Sequence, residues 1–439
     1  MESMTAKKKK YTGLEKRWIL YDVGNSAFTL LASTVLPIYF NYIAGQGGVT
    51  ESDAVAFWGY AASAVTLIVA ILGPVLGTFA DYSGWKRPLF FGSAMIGVIG
   101  CAALSVPLPW ILFLALYVVV KIAYSTSLVF YDSMLCDVTT KERMDGISSQ
   151  GYAWGYIGSC IPFILSIVLI NFTPLDIAVS MPIAFCMNAV WWLGMTIPLA
   201  RSYKQQHSVP HHPHAVRAGF ARLFSVFRGK FPGKKGILLF LVAFFLYIDG
   251  VYTIIDMATS FGTALGFDTT QLLLALLLTQ IIAFPSAIVF GILAPKVSND
   301  KLIFVCIVAY TAVAIFAIQM NQVWEFWFLA VCVGLFQGGV QALSRSYFAK
   351  IIPQERSGEF FGIMDIFGKG AAFFGTLCVS IVTQATDSVN LGVIPIACLF
   401  IAGLIVFLIA AKTVRREQAE REAQRSEESA ESARNPSEE

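Results

Sequence analysis

Charge is scarce in this chain. Of its 439 residues, 13% are Asp, Glu, Lys or Arg, while 56% are hydrophobic. A soluble domain carries about a quarter charged residues, so a water-soluble globule is excluded and a multi-pass membrane protein is expected. Histidine is scarcer still. The four histidines, His207, His211, His212 and His214, all sit in one polar connection. None lies in a hydrophobic segment, which excludes an intramembrane histidine as proton carrier or zinc ligand. The eight cysteines (101, 136, 160, 186, 306, 332, 378 and 398) form no CxxC pair and no metal-ligand spacing. They read as small apolar packing residues, without a disulfide framework and without a metal. A phosphate loop is missing too: Gly229-Lys-Phe-Pro-Gly-Lys-Lys lacks both the spacing and the hydroxyl. That disfavours direct ATP hydrolysis, and no cofactor is expected. The basic N-terminus, with Lys7 to Lys10, has no small-residue cleavage site, so a removed signal peptide is not expected.

What remains is hydrophobic in runs of spanning length. Twelve are expected, near 18–43, 55–80, 88–107, 109–137, 146–170, 177–200, 237–263, 270–294, 302–320, 325–349, 358–385 and 390–412; they are helices 1 to 12 below. Of the 31 Lys and Arg, 28 fall in the tails or in the connections after helices 2, 4, 6, 8 and 10, and the other connections hold none. By the positive-inside rule both termini are cytoplasmic, in a cell-membrane protein. The expected layout is a cytoplasmic tail (1–17), a six-helix half (18–200), a basic linker (201–236), a second half (237–412) and a charged tail (413–439). The linker's His-Pro composition allows metal binding, but a solvated segment touching anionic lipid is the preferred reading. The tail is read as partly helical or disordered.

The two halves repeat. Gly77-Thr-Phe-Ala-Asp81-Tyr-Ser-Gly84-Trp-Lys86-Arg87 closes helix 2, and Gly291-Ile-Leu-Ala-Pro295 closes helix 8 at a matching place. Glu142-Arg143 recurs as Glu355-Arg356, and Tyr21-Asp22 has an echo in Tyr247-Ile-Asp249. A parallel repeat of six helices describes an all-α major facilitator fold. Helix 1 carries Asp22, Asn25, Ser26, Thr29 and Ser33 at helical spacing, a face that lipid would not tolerate. Helix 7 carries Asp249, Thr253, Asp256 and Ser260. Helix 4 carries Tyr117, Lys121, Tyr124, Ser125 and Asp132, and helix 10 carries Gln337, Gln341, Ser344 and Arg345. Helix 11 places Asp365 one turn before Lys369.

These stretches resemble a known family. Gly77 to Arg87 is similar to the signature loop of the major facilitator superfamily, with Phe79 and Trp85 as departures. Tyr21-Asp22-Val-Gly-Asn25-Ser26-Ala27-Phe28, Gly339-Val-Gln341-Ala-Leu-Ser344-Arg345 and Glu359-Phe-Phe-Gly362 through Lys369 resemble signatures of its vacuole-effluxer-like family. Val23, Gly24 and Asp365 depart from them. The resemblance implies a central cavity lined by helices 1, 4, 7 and 10. It also implies that Asp81 meets the start of helix 11, and that the glycines of the loop make its turn. The copy at Pro295 is expected to have lost that electrostatic role. The family's best-known members release amino acids from the fungal vacuole.

The resulting expectation is a secondary transporter, not an enzyme. It would export or exchange a small zwitterion such as an amino acid, with protons as the preferred coupling ion and sodium coupling or plain facilitated exchange as the alternatives. Substrate binding is assigned to Lys121, Asp249, Asn25, Thr253, Gln337, Gln341 and Lys369. Coupling or gating is assigned to Asp22, Asp132, Arg345 and Asp365, with Asp132 the expected partner of Arg345 and Asp22 its rival. The signature loop contributes Gly77, Asp81, Gly84, Lys86 and Arg87. Partners are the small-molecule substrate and membrane lipids, with no nucleic acid, and the chain is read as a monomer. The competing readings are a transporter of an unrelated metabolite, an integral-membrane enzyme, and a transporter-fold sensor working through its basic loop and tail.

Overall fold

The computed structural model describes residues 10–210 and 231–434. The stretch with His211, His212 and His214, and so most of the linker, lies outside the described residues. Helix 1 starts earlier than its hydrophobic run. Thr12 accepts from the Glu15 N–H at 3.1 Å, and Glu15 Oε2 accepts from the Thr12 N–H at 2.6 Å. This reciprocal cap opens the helix at Gly13. It does not run unbroken to 43. It ends at Ser33 and resumes as Val35–Gln46, broken at Thr34. There Ser33 and Thr34 turn their hydroxyls back onto the carbonyls of Thr29 and Leu30, and such back-bonding bends a helix.

The other long helices are Glu51–Ala80 (2), Lys86–Ala103 (3), Trp110–Ser133 (4), Met144–Phe172 (5) and Ile177–Ser202 (6) in the first half. The second half has Lys234–Ala264 (7), Thr269–Val297 (8), Asn299–Ala317 (9), Val323–Ile351 (10), Ser357–Thr386 (11) and Ile394–Arg434 (12). A short helix, Leu135–Val138, follows helix 4. Among the described residues, eleven spans are long and apolar enough to cross a membrane. Helix 3 is shorter and carries Lys86 and Arg87 in its first turn. It packs against helices 4 and 6 and completes the twelve. Helix 12 continues through the charged tail as far as Arg434. Large aliphatic side chains such as Leu67, Ile99, Val190 and Ile405 stand exposed on the outer faces, where water would penalise them and lipid would not.

Helix 1 packs on helices 5 and 6, and helix 7 on helices 11 and 12. The halves meet where helix 2 lies on helix 11 and helix 5 on helices 8 and 10. The first of these contacts is glycine on glycine: a Cβ on Gly77 would lie 2.2 Å from the Gly358 carbonyl oxygen. Gly77 thus serves packing inside helix 2. Only Gly84, with φ +80°, makes the turn of the signature loop.

Candidate functional site

The halves are fastened at the end of the bundle that carries the basic connections, called the basic end below. Its hub is Arg345 on helix 10. The Arg345 guanidinium donates to Asp132 Oδ1 at 3.0 Å and to Asp22 Oδ2 at 3.4 Å. Nε donates to the Ser148 hydroxyl at 2.9 Å, and NH2 to the Ser148 carbonyl at 3.0 Å. The rings of Tyr152 (4.3 Å), Trp18 (4.7 Å) and Tyr131 (5.6 Å) surround the cation. Helices 1, 4 and 5 of one half thus enclose a single charge from the other. The alternatives Asp132 and Asp22 are therefore not exclusive, because one guanidinium reaches both. Ser148, Tyr152 and Trp18 were not singled out from the sequence. Trp18 stands one turn before Asp22, and Ser148 and Tyr152 share a helical face, so the spacing was present.

Asp81 reaches the start of helix 11. Its oxygens accept the Gly358 N–H at 2.7 Å and the Glu359 N–H at 3.0 Å. These are orphan donors of the first turn, and the positive end of the helix favours the carboxylate. Lys86, fully buried, bonds Ser357 Oγ at 2.9 Å and lies 3.5 Å from Asp137. Arg87 turns the other way and caps the end of helix 6 at the Ala200 carbonyl, 2.6 Å away. In the second repeat Pro295 carries no charge, but the carboxylate is not lost; it has moved to the facing helix. Asp145, at the start of helix 5, accepts from Asn299 Nδ2 at 2.7 Å and from Ser346 Oγ at 2.6 Å, and pairs with Lys350.

The first linker residues belong to this end too. Val209 N–H donates to the Asp81 carbonyl at 2.8 Å, and Gln205 bridges the Ala80 carbonyl and the Gly84 N–H. Asp137 takes the His207 N–H at 2.8 Å, the His207 ring at 3.0 Å and the Tyr203 hydroxyl. Burial, and then the Asp137 charge, push the Tyr203 phenol well above its ordinary range.

Away from the basic end the interior opens. Along helix 1, Asp22 and Asn25 are buried, Ser26 is half-buried, and Thr29 and Ser33 are exposed. Asn25 donates to the Tyr21 carbonyl and to Asp22, so it braces Asp22 and does not face the open space. Lys121 lies over the rings of Tyr124 (5.0 Å) and Phe28 (5.8 Å), and Tyr124 is held by Thr29 at 2.6 Å. Among the described residues no carboxylate pairs with Lys121, and no cation pairs with Asp256 on helix 7. The charges of Lys369 and Asp256 both act on Lys121. Lys369 is paired with Asp365, and both are partly exposed.

The assignment of Asp249 and Thr253 to this space is corrected. Both are fully buried, with Asp249 bonded to the Gly375 N–H of helix 11. The open face of helix 7 is rotated by about 60° and presents Tyr252 and Asp256, Asp256 exposed. Gln337 is also buried, 6% exposed, whereas Gln341 is half-buried.

The comparisons with known proteins agree with this architecture. A family model described as "Vacuole effluxer Atg22 like" matches residues 7–144 and 136–424. An uncharacterized MFS-type transporter, YxiO of Bacillus subtilis, is 39% identical over 406 residues, covering 91% of this chain and 95% of that protein. Autophagy-related protein 22-1 of Aspergillus niger is 28% identical over 294 residues, covering 60% of this chain and about half (46%) of that protein. Among solved structures, the human organic anion transporter MFSD10 superimposes with a TM-score of 0.70 at 13% identity, over 90% of this chain and 99% of that one. The fucose transporter FucP does so at 0.69 and 12%, over 91% and 97%. The chain belongs to the vacuole effluxer Atg22-like family and has the major facilitator fold.

Proposed function

We propose that this protein is a secondary transporter that exports or exchanges a small zwitterion, an amino acid or a similar solute, by alternating access. One observation carries the reading. Lys121 and Asp256 stand on helices of opposite halves, each without an ion-pair partner among the described residues, and close enough for the Asp256 charge to act on Lys121. Unpaired charges inside a membrane bundle are expensive and mark a substrate path. A zwitterion offers its carboxylate to Lys121 and its ammonium to Asp256, and so neutralises both. Phe28 and Tyr124, both buried, form the wall on which the Lys121 cation rests. The Asp365–Lys369 pair lies beside the site and adjusts its charge. With the basic end cytoplasmic, the conformation described is closed toward the cytoplasm. Release of the Arg345, Asp81 and Asp145 fastenings converts it to the other state. The effluxer of the family's description fits the export direction.

A thermal-shift screen of the purified protein tests this. A solute that binds only the native state at about a hundred times its Kd adds about 2.7 kcal/mol of stability. Amino acids should raise Tm, and their amides and deaminated acids should not. Lys121→Gln and Asp256→Asn should each abolish the shift. Equal stabilisation by solutes lacking either charge would overturn the zwitterion assignment.

A further inference from the structure

Asp249 occupies the middle of helix 7 and is fully buried. Its Oδ1 accepts the Gly375 N–H at 2.8 Å and the Thr253 hydroxyl at 3.2 Å. Its Oδ2 meets no hydrogen-bond partner among the described residues. The pocket is built around the carboxyl: a Cβ on Gly375 would stand 2.2 Å from both Asp249 Oδ1 and Thr253 Oγ1. The elements packed around it bring no cation among the described residues. Helix 11 contributes Gly375 and Cys378, and helix 12 contributes Phe400 against Gly250. Helix 10 contributes Ser344, which holds Tyr247, two residues before Asp249. Cys378 and Tyr247 are the titratable members of this set, and neither compensates a negative charge.

An ionised carboxylate here would keep one oxygen dry and unpaired, which is among the costliest arrangements a protein interior can hold. A neutral acid removes most of that cost. A metal ion does not fit, since a hard cation asks for about six oxygens and a single carboxylate oxygen is free. Asp22 and Asp132 differ, because each already faces the Arg345 cation.

We propose that Asp249 is the proton-binding site of this transporter, loaded in the conformation described here and discharged when helices 7 and 11 part. The O–H bond forms on Oδ2, and the proton leaves to water once that contact admits it. The proposal rests on the secondary-transport reading but needs no solute for its test. Spin labels at the exposed positions Lys141 and Glu355, on the two related loops of the basic end, report opening of that end in liposomes. Raising the pH should move wild type toward longer distances. Asp249→Asn, a permanently neutral side chain, should hold the short distance at every pH. Thr253→Val, which removes a bond that favours the anion, should shift the midpoint up by about one unit. In infrared spectra the carbonyl band of a neutral carboxylic acid should be weaker in Asp249→Asn than in wild type. A pH response in Asp249→Asn equal to that of wild type, or an unchanged acid band, would overturn the assignment. Failure of the zwitterion screen would leave these results untouched.

Discussion

Arg345 and its two carboxylates carry a net negative charge, and this sets the order in which their removal is felt. At an effective dielectric constant of about 20, a charge pair at 3.0 to 3.4 Å attracts by about 5 kcal/mol before desolvation. Taking away Asp22 or Asp132 leaves a neutral pair. Asp132 is 30% exposed, which screens its share further. Asp22→Asn and Asp132→Asn should therefore favour opening of the basic end by about 1–2 kcal/mol each. Taking away the cation strands two carboxylates between packed rings, and Arg345→Gln should cost about 3–5 kcal/mol. The closed-to-open ratio then falls by a factor of about 150 to about 5,000. Adding both carboxylate substitutions to Arg345→Gln should recover most of the loss. The protein contains its own reporter. Cys136 is 2% exposed and touches the Ala349 carbonyl across the two halves, so it is alkylated only when the basic end opens. Cys186 and Cys398, which are exposed, and Cys332 and Cys378, which are partly exposed, are replaced first. Because one guanidinium holds both acids, the Asp22–Arg345 and Asp132–Arg345 cycles should both be non-additive. Alkylation of Arg345→Gln no faster than wild type, or strict additivity of either cycle, would refute this account of the fastening.

Other expectations follow from the same geometry. Asp81→Asn loses a charge set against two helix N–H groups and should raise Cys136 alkylation by about 1–2 kcal/mol of opening. Asp145→Asn should match it, and Pro295→Ala should do little, since the second carboxylate sits on helix 5. Gly77→Ala forces a methyl into the Gly358 backbone. It should open the basic end and lower Tm, which calorimetry together with alkylation would show. Asp249→Asn should leave zwitterion-induced stabilisation intact while Asp256→Asn removes it; the thermal-shift screen separates the two.

Much of this was legible in the sequence. Spans follow from hydrophobic runs, and the halves from a repeat. The meeting of Asp132 with Arg345 follows from their equivalent places in that repeat, and the contact of Asp81 with helix 11 from the signature loop. The substrate face of helix 7 was not legible. Asp249–Thr253 and Tyr252–Asp256 are two polar stripes on one otherwise apolar helix, about 60° apart. Only the packing of helix 11 decides which is buried. The break at Thr34 depends on hydroxyls choosing carbonyls over solvent, which no periodicity encodes. Ser148 escaped notice because a neutral side chain in a membrane helix gives no warning that its backbone carbonyl will hold an arginine.

The hydrogen bonds that hold Tyr203 to Val209 against Asp81 and Asp137 make the first residues of the inter-half connection part of the basic end. This matters to anyone who engineers the protein. A fluorescent domain, an affinity tag or a protease site placed at Gln206 would pull on the carbonyl of Asp81 and on the carboxylate of Asp137, and so disturb the contacts it was meant to watch. Placed beyond Pro210, the same insertion leaves those bonds in register. Two halves expressed as separate polypeptides should be divided there, with residues up to Val209 kept on the first.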